Sequence, residues 1–144
     1  MAIKKIIGSS LVAVSMSSVC LVAYAGPDLT IDNNTSKYSS SQINDGLCSS
    51  ALDGGVIQPY EKGHVVSGVL IAFACWGHES DCKADVYMTD NCNQGGASKV
   101  ATVRFDTQKG IIPPIQNYTP EYTISGSGFN VALDGGGPAF ADKK

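Results

Sequence analysis

Between Gly26 and Asp134, apolar and polar side chains alternate in short runs, and Gly, Asn, Asp and Pro separate the runs. Alternation with a period of two marks strands buried on one face, and no segment repeats at the helical period. Leu29 and Ile31 open the first strand, which Asn33-Asn34 ends. Ser39 to Leu52 is polar and mixed. Asp53-Gly54-Gly55 is a turn, followed by the apolar pair Val56-Ile57. The most apolar run, Val65 to Cys75, reads as a strand, and Cys82 to Thr89 and Lys99 to Asp106 read as two more. Pro113 and Pro114 interrupt Ile111 to Ile115 and assign it to a sheet edge or a loop, because proline cannot donate to a ladder. Gly126-Ser127-Gly128 turns a hairpin between Tyr122–Ser125 and Phe129–Asp134. Strands without helices predict an all-β fold, an antiparallel β-sandwich of two packed sheets, since one sheet leaves too many apolar faces wet.

The first 25 residues follow a different pattern. Lys4 and Lys5 precede an uncharged, mostly apolar stretch from Ile6 to Val22, and Ala23-Tyr24-Ala25 places small residues before Gly26. This is the layout of a cleaved secretory signal peptide. The stretch is rich in serine and short for a membrane span, which needs roughly 20 apolar residues. Cys20 follows Val19, where a lipoprotein signal requires a small residue. The predicted organisation is a signal peptide over 1–25, one sandwich domain over 26–134 and a Gly-rich, then charged, tail over 135–144. No transmembrane segment is expected in the mature chain, and the signal peptide takes it across the inner membrane, out of the cytoplasm.

Cleavage removes Lys4 and Lys5, so eight of the ten basic residues remain against thirteen acidic ones, a net charge of −5. An acidic surface lacks the basic footprint of nucleic-acid binding. Cleavage also removes Cys20 and leaves Cys48, Cys75, Cys82 and Cys92. Four cysteines in a small exported chain predict two disulfides. A four-thiolate zinc site is the competing reading, although the spacings contain no CxxC pair. Four cysteines allow three pairings. A straight strand from Cys82 to Cys92 holds those two roughly 30 Å apart, and a disulfide needs Cα atoms within about 7 Å. Pairing Cys75 with Cys82 makes Trp76 to Asp81 a hairpin loop and sets Phe73 opposite Ala84, Ile71 opposite Val86 and Val69 opposite Met88. Cys48 then pairs with Cys92. In this register Lys83, Asp85 and Tyr87 point to the mixed, partly exposed face.

Several groups are candidates for chemistry. The Trp76–Asp81 loop carries the only tryptophan beside His78, Glu79 and Asp81. It either anchors a partner, glycan or membrane interface, or Trp76 folds back over the core. Lys83, Lys99 and Arg104 form a local basic patch for a phosphate or sulfate headgroup if their strands are neighbours. Tyr87 adds an aromatic to that face, and Tyr60, Tyr118 and Tyr122 offer further adaptable contacts. The predicted ligand-binding set is Trp76, His78, Lys83, Tyr87, Lys99 and Arg104. No catalytic set, metal site or cofactor is predicted. Asp90 to Gly96 fails as a calcium loop, with Cys92 at its third position, and Gly126-Ser127-Gly128 is not a nucleophile elbow.

Four segments carry a resemblance: Asp28–Ser36 (DLTIDNNTS), Cys82–Cys92 (CKADVYMTDNC), Ala101–Asp106 (ATVRFD) and Ser125–Val131 (SGSGFNV). They resemble a group of small exported proteins of Legionella and related intracellular bacteria, some of them substrates of the type II secretion system. The resemblance implies export by that machinery and a virulence-associated effector acting on host material. It brings no catalytic motif. The expected function is a secreted, non-enzymatic binding protein for a host lipid headgroup or host protein. A small hydrolase and a structural surface or matrix protein are the alternatives.

Overall fold

The computed structural model describes residues 25–137. The predicted signal peptide, apart from Ala25, and the tail beyond Gly137 lie outside the described residues. Eight strands form two four-stranded sheets. The strands are β1 (Leu29–Asn33), β2 (Ser40–Ile43), β3 (His64–Val66), β4 (Cys82–Tyr87), β5 (Ala101–Asp106), β6 (Gly110–Asn117), β7 (Tyr122–Ser127) and β8 (Asn130–Gly135). One helix, α1 (Gly68–Ala74), lies between β3 and β4. The first sheet runs β3-β1-β8-β7 and the second β2-β4-β5-β6.

The expected sandwich is present, with one change of hand in the pairing: β1 runs parallel to β8, with Ile31 beside Val131. The inner faces supply Ile31, Ile124 and Leu133 from one sheet and Val86, Ala101 and Val103 from the other, and these meet in one core. Asn33 ends β1 through its side chain. Its Nδ2 donates to the carbonyls of Lys37 and Gln58, and its Oδ1 accepts from Thr35. A buried amide is tolerated only when satisfied in this way.

The proline-bearing run does form an edge strand, β6, and it is also where the chain crosses between sheets. Asn117 at its end accepts from the Ile124 N–H at 2.7 Å and donates to the Ile124 carbonyl at 3.0 Å. One carboxamide thus serves β7 as a strand partner. Tyr122–Ser127 and Asn130–Gly135 make the predicted glycine hairpin. Its turn docks on the start of β6, where a Cβ on Gly110 would fall 2.3 Å from the Gly128 carbonyl oxygen.

The main correction concerns Val65 to Cys75. It is not a strand: β3 ends at Val66 and α1 begins at Gly68. The Ser67 side chain caps the helix by accepting from the Val69 N–H. Ser67 is the one polar residue in the run, and a cap signal that short is hidden in an otherwise unbroken apolar stretch. The predicted pairing of Phe73 with Ala84 and its neighbours is absent, because β4 pairs with β2 and β5.

Both predicted disulfides are present. Cys75–Cys82 spans 5.5 Å between Cα atoms and Cys48–Cys92 spans 6.1 Å. The first ties the end of α1 to the start of β4 instead of joining two neighbouring strands. The two bridges consume all four thiols, which removes the zinc reading.

Candidate functional site

The helix that replaces the expected strand is apolar on every side, and this places two surfaces together. Leu70, Ile71 and Ala74 turn inward. Val69, Phe73 and Trp76, spaced four and three apart, turn outward with relative exposures of 60%, 65% and 75%. Val69 and Phe73, four apart, share one face of α1, and Trp76 follows in the turn just past its end. A globular protein normally puts polar residues there. Val65, in the strand just before, is also exposed.

Trp76 therefore does not cover the core. Among the described residues its indole N–H has no hydrogen-bond partner. The polar groups around it are engaged within the loop. Glu79 accepts from the Gly77 N–H, and Asp81 is held by the Arg104 guanidinium through two nitrogens. His78 is exposed beside them, and its backbone N–H closes a turn on the Cys75 carbonyl. The tip is an apolar surface whose neighbouring charges are already paired.

The predicted basic patch takes a different form. Lys83 and Arg104 are cross-strand partners, and Asp85 faces Thr102 in the next pair on the same face. The strands are neighbours as expected, but each cation faces an acid. Lys83 Nζ bonds both Asp45 oxygens at 2.8 Å. Lys83 and Lys99 approach Asp85 at 3.9 and 3.7 Å. Asp85 is 3% exposed and accepts from the Thr102 hydroxyl. Lys99 also stands over the Tyr118 ring. Three cations and three acids leave no net positive field for an anionic headgroup. The charge pattern was visible in the sequence, but the cross-strand neighbours were not.

Tyr87 needs a correction too. It lies on the predicted outward face but is 6% exposed. Beside it in β2, the Ser40 hydroxyl donates to the Thr89 carbonyl and accepts from the Cys92 N–H. The Cys48–Cys92 bridge fastens the loop after β4 to the loop after β2. Tyr87 is therefore not available to a ligand, while Tyr60 and Tyr118 are exposed.

Neither histidine meets a serine hydroxyl. His64 Nδ1 is 2.7 Å from Glu61 Oε2, and its Nε2 is 2.6 Å from the Gly54 carbonyl. Both ring nitrogens are occupied by acceptors, so none is left to activate a nucleophile. Among the described residues no group of three or more His, Cys, Asp and Glu side chains is placed to hold a metal. No helix among them is long and apolar enough to cross a membrane.

Electrostatics of these pairs set an acid limit on stability. Arg104 beside Asp81 and Lys83 beside Asp45 hold both carboxyls below their ordinary range. Backbone N–H donation from Gln58, then the His64 contact, lowers Glu61, and the Gly77 N–H lowers Glu79. A carboxyl depressed in the fold stabilises the protein above its unfolded value, and that contribution is lost as pH falls through the folded value. The four groups are exposed to solvent, so each contributes little. Melting temperature should be level through neutral pH and drop once pH passes below about 4. A rise in melting temperature on acidification through that window is the contrary result.

A family model described as T2SS substrate NttC matches residues 4–144 of this chain. The crystal structure of the Legionella pneumophila type II secretion system substrate NttC superimposes with a TM-score of 0.62 at 23% identity. The match covers 77% of this chain and 99% of that one. At that identity the likeness speaks to the fold. No curated protein gives a match.

Proposed function

Since the chain belongs to the NttC family of type II secretion substrates, which leave the cell by way of the periplasm, we propose that it is a non-enzymatic binding protein that docks on a lipid bilayer. The docking surface is the apolar tip formed by Val69, Phe73 and Trp76. The exposure of these three large apolar side chains, two on α1 and one in the turn that ends it, carries the reading.

Magnitudes favour apolar insertion over headgroup attraction. Burying one large apolar side chain is worth about 1.5–3 kcal/mol. Phe73 and Trp76 together thus supply enough for reversible attachment. Their amphipathic or apolar rings suit the interface, where tryptophan with a free N–H is favoured. The electrostatic contribution runs the other way. The mature chain's excess of acid opposes an anionic leaflet, and Lys83, Lys99 and Arg104 already face Asp45, Asp85 and Asp81. A zwitterionic surface is the better partner.

Vesicle co-sedimentation tests this. Binding to phosphatidylcholine vesicles should change little between low and high salt. Phe73→Ser/Trp76→Ser should weaken it about a hundredfold, on the loss of about 3 kcal/mol. Both side chains are exposed, so the variant should keep its fold. Binding only to anionic vesicles, abolished by salt, favours the headgroup reading on the basic residues. Unchanged binding by the double variant removes the tip from consideration.

A further inference from the structure

Beneath α1, between the two sheets, lies a cavity of about 140 Å³. Leu70, Ile71 and Ala74 of α1 roof it, and Ala84, Val131 and Leu133 stand among its walls. Two of its three lining serines turn their hydroxyls to backbone carbonyls. The Ser39 hydroxyl donates to the Tyr87 carbonyl and the Ser49 hydroxyl to the Gly55 carbonyl. Asp53 is the one charged residue in the lining.

We infer that this cavity is a binding site for a neutral hydrocarbon group, an alkyl chain end or a small ring, with α1 as its roof. Three observations support it. The first is size. A dry apolar cavity of roughly 150 Å³ is enough to bind benzene. Native interiors contain few voids larger than a water molecule, so a space this large is a departure from ordinary packing. The second is chemistry. A water molecule needs roughly two to four polar partners, and with the Ser39 and Ser49 hydroxyls committed to backbone carbonyls, Ser41 is the one lining serine left to offer one. The third is that α1 is prevented from sinking into the space. At its start the Gly68 N–H donates to Asp28 Oδ1 at 2.8 Å, and Gly68 sits so close to Gly26 that a Cβ would fall 2.0 Å from the Gly26 carbonyl oxygen. At its end Cys75 is bonded to Cys82. A roof anchored at both ends keeps the cavity open. Asp53 disfavours an anionic group entering, and the mainly apolar lining has little to replace the hydration of any charged group, which together select a neutral ligand.

This site is separate from the membrane reading and does not need it. The outward face of α1 would touch a bilayer, and the inward face would touch the ligand.

The test is a pair of titrations of the oxidised, secreted protein, one with octan-1-ol and one with benzene, followed by backbone amide NMR. At least one probe should give saturable, single-site shifts at Leu70, Ala84 and Leu133. Saturation by octan-1-ol alone assigns a chain end, and by benzene alone a ring. Ala84→Leu and, separately, Ala74→Leu fill the space and should weaken binding at least about tenfold. Phe73→Ser/Trp76→Ser leaves the lining intact and should bind the probes as before, even if vesicle binding is lost. The inference is overturned if neither probe gives saturable shifts at these residues. It is also overturned if either filling variant, folded by its spectrum, binds like the parent chain.

Discussion

Replacing Cys48 and Cys92 together by alanine should lower the unfolding free energy by about 4 kcal/mol. The bridge joins residues 44 positions apart, so its loss frees a long loop in the unfolded chain. The Cys75–Cys82 bridge spans only 7 positions, and the same chain-entropy relation gives it about 2.5 kcal/mol. The folded structure adds to the difference, because Cys48–Cys92 also fastens two loops to each other, next to the bond from the Ser50 hydroxyl to Asn91 Oδ1. Urea unfolding of the two double variants checks the ranking. A larger loss from the short bridge means that native contacts of α1, and not loop closure, set the cost.

The second large effect is expected at Ile124. It is 1% exposed, and its backbone is held on one side by Leu133 of β8 and on the other by the Asn117 carboxamide. Truncation of a buried isoleucine or leucine costs between about 2 and 5 kcal/mol, depending on how far the surroundings relax. With both backbone groups fastened, β7 has little freedom to close the gap. Ile124→Ala should therefore fall in the upper half of that range, about 4 kcal/mol. Val69→Ala, on the exposed face of α1, should change stability by less than about 0.5 kcal/mol. Denaturant midpoints for the two variants provide the comparison. A cost at Ile124 below about 1.5 kcal/mol would show that the core repacks around the gap.

Much of the architecture was legible because it rests on local rules. Pro113 and Pro114 exclude a central strand wherever the chain folds, and β6 is indeed an edge. Alternation over Cys82 to Tyr87 places Ala84 and Val86 inward regardless of which strands lie beside them. The cysteine pairing was right, although the geometry behind it was only half right. A disulfide limits the distance between two Cα atoms and says little about the conformation that brings them there.

The run Val65 to Cys75 was misread for a definite reason. Periodicity reports the difference between two faces, and α1 has no such difference: its inward and outward sides are both apolar. The same property makes the helix the candidate site. Lys83, Lys99 and Arg104 failed in another way. Their clustering was anticipated, but the acids that face them come from positions far away in sequence, such as Asp45 beside Lys83. Tyr87 obeyed its strand parity and is buried all the same, because parity does not say what covers an outer face.

What the amino-acid order alone decided was therefore export-type composition, most of the strand character and the hairpin glycines, which follow from constraints acting over a few residues, and the two bridges, which follow from an even cysteine count and the limit on Cα separation. What needed the assembled chain was the helix, the neutralised outer face, the parallel β1–β8 pair and the apolar space under α1. Those depend on which distant segments become neighbours. That choice is made by burying the whole apolar surface at once, and no local pattern of side chains records it.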